Sequence, residues 1–172
     1  MVDNISERSI AALDVKRHDR ESFACGVESL DQYFRSRARQ DWNKYAAAVF
    51  VMADGPSVIG YYTLSSYTIN PGELPDELAH KLPRYPNLPA TLIGRLAVDR
   101  RYQRKGFGEE LLLDALKRCF ATTSAVGSLA VVVEAENAKA IQFYQSYGFI
   151  QFPDHGNKLF LLMPTIRAMF EK

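Results

Sequence analysis

Two stretches of the chain hold side chains whose types and spacing could carry out group transfer. In the first, Gln103-Arg104-Lys105-Gly106-Phe107-Gly108 lies between residues that read as a strand, Leu92 to Val98, and residues that read as a helix, Gly108 to Cys119. A strand, a glycine-containing loop and a helix N-terminus present main-chain N–H donors and the positive end of a helix dipole to an anion. Gly106 and Gly108 permit close approach of the backbone, while Arg104 and Lys105 can neutralise phosphate charge. Diphosphate fits such a loop, although two glycines can equally serve turn geometry alone. Dinucleotide-binding and Walker loops fit less well, because the third glycine of one and the Gly-Lys-Ser or Gly-Lys-Thr of the other are missing.

In the second stretch Asn137, Ala140, Ile141 and Tyr144 fall at i, i+3, i+4 and i+7, on one face of a helix. A phenol placed there can protonate a leaving group, or it can simply pack the helix against a sheet. No general base is evident. The strand Thr91 to Val98 has no carboxylate, Glu134 and Glu136 read as solvated groups near a strand end, and His18, His80 and His155 stand alone. Neither the histidines nor Cys25 and Cys119 have metal-ligand spacing, so no metal is expected. The missing base bears on the acceptor. At pH 7 a lysine amine of pKa about 10.4 is neutral in roughly one molecule in 2,500, an α-amine of pKa about 7.7–8.0 in roughly one in eight. An aminoacyl ester, whose carbonyl draws electrons from the amine, suits such an enzyme better still.

The elements that must position these groups follow from periodicity. Arg8 to Val15 alternates weakly as a first strand. Ser29 then offers an N-cap to a helix in which Leu30, Tyr33, Phe34, Ala38 and Trp42 keep helical spacing. Ala46 to Met52 and Val58 to Ile69 flank the turn Asp54-Gly55-Pro56-Ser57 as a hairpin. Pro71, Pro75, Pro83, Pro86 and Pro89 limit residues 70–90 to a stiff loop with at most a helical turn near Asp76 to Leu82. Leu129 to Val133 reads as a strand buried on both faces. Asn137 caps a helix that Gly148 ends, and Asn157 to Met163 forms a last strand. The order predicts one α/β or α+β domain over residues 1–172 with a mixed sheet.

Composition excludes several classes. With 172 residues, 47% of them apolar, the chain suits one core, and no window approaches the roughly 18 apolar residues that span a bilayer. Two unpaired cysteines and an N-terminus without a basic-then-apolar leader predict a soluble protein of the cytoplasm. The net charge of +1 hides an uneven distribution. Lys81, Arg84, Arg95, Arg100, Arg101, Arg104 and Lys105 surround only Asp99, and Arg35, Arg37, Arg39 and Lys44 surround only Asp41. Such clusters suit a polyanionic ligand, and they also suit plain solvated surface.

Gln103-x-x-Gly106-x-Gly108 behind Leu96-Ala97-Val98-Asp99, followed by Asn137-x-x-Ala140-x-x-Phe143-Tyr144-x-x-x-Gly148-Phe149, resembles the two signatures of the GNAT acetyltransferases. The resemblance implies the GNAT fold, a mixed central sheet with helices on both faces and an acetyl-CoA site between splayed strands. It also implies that the main chain of Leu96, Ala97 and Val98 binds pantetheine and that Gln103, Arg104, Lys105, Gly106, Phe107 and Gly108 bind pyrophosphate. Asn137 contacts the pantetheine or holds the splayed strands, and Tyr144 lies near the thioester sulfur as catalytic acid. Phe23 to Leu30, Ile59 to Ser65, Lys81 to Pro86 and Gly94 to Asp99 are similar to one subgroup, the GNAT toxins of bacterial type II toxin–antitoxin systems. Ala24 departs from the acidic residue expected there. Members of the subgroup acetylate the α-amine of aminoacyl-tRNA, are neutralised by ribbon-helix-helix antitoxins, and many form homodimers. Arg35, Arg39, Lys81, Arg84 and Arg95 then become candidates for tRNA phosphate contact. The alternatives are acetylation of a small-molecule amine or protein N-terminus, and a noncatalytic acetyl-CoA-binding module.

Overall fold

The computed structural model describes residues 9–171, so Arg8 of the expected first strand lies outside it. In chain order the elements are β1 (Ile10–Ala12), α1 (Glu28–Gln32), a π-helical segment (Tyr33–Arg37), α2 (Ala38–Asn43), β2 (Ala48–Asp54), β3 (Ser57–Ile69), a 3-10 turn (Pro71–Glu73), α3 (Asp76–Ala79), β4 (Leu88–Val98), a second 3-10 turn (Arg100–Tyr102), α4 (Phe107–Thr122), β5 (Ala130–Glu134), α5 (Ala138–Ser146), β6 (Ile150–Phe152), β7 (His155–Leu162) and α6 (Met163–Phe170). The strand order is β1-β2-β3-β4-β5-β7-β6. β4 and β5 run parallel, whereas β1–β2, β2–β3, β5–β7 and β6–β7 are antiparallel. The sheet is therefore mixed, as expected. No helix among the described residues is long and apolar enough to cross a membrane.

Contacts divide the chain into two compact units. The first runs to Leu64 and adds Arg95–Ala115. Its core sets Phe23, Phe34 and Tyr61 in contact, with the Phe34 and Tyr61 rings stacked at 4.4 Å and the Tyr61 hydroxyl donating to the Leu30 carbonyl at 2.7 Å. Gly60 is required here by proximity, because a Cβ on it would stand 2.6 Å from Leu111 Cδ1 and 2.7 Å from the Ala97 carbonyl oxygen. The first helix begins two residues earlier than its sequence signal: Val27 is the N-cap, without a side-chain bond, and Ser29 lies inside α1. Asp31, inside α1, turns back to the segment before the helix, its buried carboxylate accepting the Cys25 N–H at 2.7 Å. Trp42 departs from the buried face and is 37% exposed.

The second unit comprises Ser65–Gly94 and the residues from Leu116 on. Ala130 to Val133 of β5 are fully buried, as their unbroken apolar run implies. The parallel ladder joins Thr91–Ile93 to Val131–Val133 and ends at the pair Ile93–Val133, while β4 continues to Val98. β4 begins at Leu88 rather than Thr91. Pro89 is tolerated because it is exposed, lacks only a donor, and accepts the Leu129 N–H through its carbonyl. Two elements had no clear sequence signal: the three-residue β6, defined by pairing with β7, and α6, which opens at Met163-Pro164 where the last strand was expected to end. Proline suits the first helical turn, since its missing N–H would have no partner there.

Candidate active site

The segment after β4 is held by one buried carboxylate. Asp99, 1% exposed, accepts hydrogen bonds from the Ala24 N–H at 3.1 Å, the Arg101 N–H at 2.9 Å and Arg101 Nε at 2.9 Å. Burial alone would raise its pKa, but the bonds from Arg101 and Ala24 outweigh burial and hold the carboxyl below its ordinary value. The Gln103 side chain continues the anchoring, Nε2 donating to the carbonyls of Cys25 at 2.8 Å and Val98 at 2.9 Å. Arg104 (φ 64°) and Gly106 (φ 84°) then adopt left-handed conformations that turn the chain sharply into α4. Around Gly106 nothing lies within 4 Å of a hypothetical Cβ, so the dihedral rather than crowding favours glycine.

Phe107, buried at 5% exposure, fixes the start of α4 to the core, and Gly108 falls inside the first turn. The first N–H groups of a helix have no partner within it, so this turn and the left-handed residues before it offer converging donors. Arg104 and Lys105 are exposed beside them. The donor set fits a diphosphate. Leu96, Ala97 and Val98 lie directly upstream in β4, with Ala97 packed in the core and the Val98 carbonyl taken by Gln103.

Asn137 and Tyr144 belong to the second unit. Asn137 is the N-cap of α5, its Oδ1 accepting the Ala140 N–H at 2.9 Å. Tyr144 is buried between Phe143 and Phe149, ring centroids 5.3 and 5.4 Å away, and its hydroxyl has no hydrogen-bond partner among the described residues. Burial, assisted by the Glu136 carboxylate, pushes its pKa well above the ordinary tyrosine value, so the phenol keeps its proton. Glu134 and Glu136 are both exposed, and Glu134 sits opposite Lys158 on β7. No group of three or more potential metal ligands occurs among the described residues.

The basic candidates separate by what they touch. Arg35 directs Nε and Nη2 to the Phe23 carbonyl, the first at 3.0 Å, so its guanidinium already braces the protein. Arg95 lies over the Tyr33 ring, 3.5 Å from the centroid, and Tyr33 donates its hydroxyl to Asp41 at 2.8 Å. Arg39 is exposed and lines, with Arg20, Arg35 and Lys44, a cleft of about 410 Å³ that has no carboxylate in its wall. Lys81 borders an apolar hollow with Leu82, Leu129 and Met163, and Arg84 is exposed. Sequence reasoning did not single out Asp99 or Arg20 as parts of a site, and it placed Lys44 only in a basic cluster suited to a polyanionic ligand. The signal for Asp99 was its position as the lone acid among seven bases, and nothing local marked Arg20, which joins the cleft through the fold.

The chain matches the model of the Acetyltransferase (GNAT) family over residues 13–149. It belongs to the GNAT acetyltransferases. A tRNA-acetylating toxin of Mycobacterium tuberculosis is 34% identical over 148 residues, 86% of this chain and 88% of that protein. Among solved structures, the toxin AtaT complexed with acetyl-methionyl-tRNAfMet superposes with a TM-score of 0.85 at 30% identity, over 94% of this chain and 98% of AtaT. A tyrosine-to-phenylalanine variant of AtaT, bound to the C-terminus of the antitoxin AtaR and to acetyl-CoA, gives a TM-score of 0.81 at 27% identity, over 95% and 98% of the two chains.

Proposed function

We propose that the protein, acting as one GNAT domain in the cytoplasm, transfers acetyl from acetyl-CoA to the α-amine of aminoacyl-tRNA, as the toxin of a toxin–antitoxin pair. The observation that carries the reading is the Tyr144 phenol: buried, protonated, and without a partner of its own. The phenol gives up no hydrogen bond to the described residues, so its proton is available to a departing sulfur. The similarity of 86% of the chain to a tRNA-acetylating toxin supports the choice of acceptor.

The residues divide the work accordingly. Main-chain donors from Arg104 to the first turn of α4 hold the pyrophosphate, with Arg104 and Lys105 offsetting its charge. The main chain of Leu96 to Val98 guides the pantetheine, and the capped start of α5 at Asn137 fixes the helix that carries Tyr144. The neutral amine attacks the thioester carbonyl carbon, the C–S bond breaks, and the departing sulfur takes the Tyr144 proton. Solvent then carries a proton from the acylated nitrogen back to the phenolate, leaving amide, thiol and phenol. An α-amine needs no dedicated base for this, because a useful fraction is neutral at pH 7. A ribbon-helix-helix antitoxin and a homodimeric assembly complete the proposal. Co-purification with the product of an adjacent short gene and sedimentation equilibrium test these two partners.

The decisive experiment incubates labelled acetyl-CoA with charged tRNA. Label in the aminoacyl moiety is expected, and its absence with full labelling of a free amine or protein N-terminus overturns the acceptor assignment. Tyr144→Phe tests the mechanism: kcat is expected to fall about 10²–10⁴-fold. Acetyl-CoA affinity and stability should stay unchanged, because the hydroxyl gives up no protein hydrogen bond. Wild-type turnover in that variant removes Tyr144 from the chemistry.

A further inference from the structure

Where the helical stretch of the first unit ends, the backbone makes a Schellman closure: the Ala46 N–H bonds to the Asp41 carbonyl at 2.8 Å and the Tyr45 N–H to the Trp42 carbonyl at 3.3 Å. The residue at the left-handed position of such a closure is usually glycine. Here it is Tyr45, at φ 60°, with its side chain 96% exposed. A tyrosine in this conformation is an outlier, and it gains nothing in return from packing, since almost none of it is buried. The outlier therefore points to something the ring does in solvent.

The residue before it, Lys44, lines the cleft of about 410 Å³ shared with Arg20, Arg35 and Arg39. None of these four cations pairs with a carboxylate among the described residues. Trp42, also part-exposed, borders a neighbouring hollow of about 550 Å³, and Arg39 and Asn43 line both. Cations without a carboxylate partner among the described residues, in a groove whose lining Asn43 and Lys44 are flanked in the chain by the part-exposed Trp42 and the exposed Tyr45, are the chemistry that holds a nucleic-acid strand: cations follow the phosphates and rings stack on unpaired bases. A protein partner would leave a similar aromatic anchor, but it gives no reason for a wall of four cations and no carboxylate.

We propose that this surface is an RNA-docking site of the enzyme, in which Arg39 and Lys44 contact phosphates and Tyr45 stacks on an unpaired base. The inference rests on the tRNA reading above and assigns that reading a site. Arg20 and Arg35 shape the groove, since Arg20 Nη1 donates to the Arg35 carbonyl at 3.3 Å and Arg35 is committed to Phe23.

The test uses the full-length protein and deacylated tRNA, with binding followed by fluorescence anisotropy across a salt series. Tyr45→Gly is expected to weaken binding by about ten-fold or more with the salt slope unchanged, because a stacked base is lost and no phosphate contact is. Tyr45→Phe should bind as the wild type does. Lys44→Ala and Arg39→Ala should each lower the slope by about one. Folding moves the other way: glycine relieves the left-handed strain, so the Tm of Tyr45→Gly should equal or exceed that of the wild type. A purely structural tyrosine predicts no change in RNA binding. If Tyr45→Gly binds deacylated tRNA as tightly as the wild type, the proposal is overturned. It is equally overturned if that variant changes the sedimentation mass and leaves RNA affinity intact, which assigns the surface to a second copy of the chain. A wild-type protein that shows this Tyr45 dependence but does not acetylate charged tRNA keeps the docking site and refutes the acceptor assignment.

Discussion

Replacing Asp99 by asparagine changes one atom type at a buried position, and its consequences can be worked from four hydrogen bonds. One carboxylate oxygen serves Arg101, with its N–H and Nε both at 2.9 Å, and the other accepts the Ala24 N–H at 3.1 Å and, at a long 3.5 Å, Arg101 Nη2. An asparagine oxygen can keep the Arg101 pair. Its amide nitrogen then faces the Ala24 N–H, donor against donor. The lost bond and the unsatisfied donor cost about 1–3 kcal/mol, and loss of the charge from the remaining bonds adds about another 1 kcal/mol. Because Arg101 is exposed and can return to water, its share stays small. A total of about 2–4 kcal/mol is expected, a sizeable part of a typical domain's 5–15 kcal/mol, and the urea midpoint at pH 7 should fall accordingly. The loss falls on the chain leading into the pyrophosphate loop. The KM for acetyl-CoA should rise roughly ten-fold, equivalent to about 1.4 kcal/mol, with kcat at saturation little changed. The pH dependence has a definite sign. Asp99 is more acidic folded than its ordinary value of 3.8, so its contribution is present above that value and is lost as pH falls through the folded pKa. The gap between wild type and variant should be constant between neutral and mildly acidic pH and close only in strong acid. An asparagine variant with wild-type urea midpoint and wild-type KM would falsify the assignment of Asp99 as the anchor.

Gly60→Ala should lower Tm, because its Cβ meets the Ala97 carbonyl oxygen at 2.7 Å and a backbone atom in a sheet cannot step aside. Overpacking of this kind costs about 1–3 kcal/mol, to be read from a thermal melt, and an unshifted Tm contradicts the close approach. Arg35→Lys keeps the charge in the cleft but loses the fork on the Phe23 carbonyl. Its stability and acetyl-CoA affinity should fall while the salt slope of RNA binding stays at the wild-type value, and the reverse outcome would make Arg35 a phosphate contact.

Much of the architecture was legible because it depends on local signals. The hairpin turn, the buried run of β5, the Asn137 cap and the Gly148 stop each occupy the positions their chemistry requires. The misreadings share a cause as well. Ser29 has the residue type of an N-cap, but the helix starts two residues earlier, at Val27, without a side-chain cap, and the nearby carboxylate of Asp31 is spent on the Cys25 N–H. β6 is three residues long and exists through its partner β7, which no local window reveals. Trp42 keeps helical spacing yet is exposed, because the π-helical segment at Tyr33–Arg37 shifts the register of the helix after it. At the candidate site the loop sequence revealed its conformation, while the partners of its polar side chains lie far away along the chain.

Those partners converge on one short irregular stretch, and this convergence ties the loop to the rest of the first unit through several side-chain bonds. Backbone groups near a ligand site need partners, and outside helices and strands side chains must supply many of them. Between Phe23 and Cys25 they do. The Phe23 carbonyl receives Arg35, the Ala24 N–H donates to Asp99 while its carbonyl takes the Arg100 N–H, and Cys25 donates to Asp31 and accepts from Gln103. Arg35 and Gln103 both have the residue type of a ligand contact, and both spend their donors here. Gln103, at the head of the proposed pyrophosphate loop, therefore fixes where the main chain presents its N–H groups, and Arg35 supports the same stretch from the side of the cationic cleft. The loop is thus pre-set by residues up to 78 positions distant in sequence, so weakening any one of these bonds should appear first as a loss of acetyl-CoA affinity and only secondarily as a loss of fold.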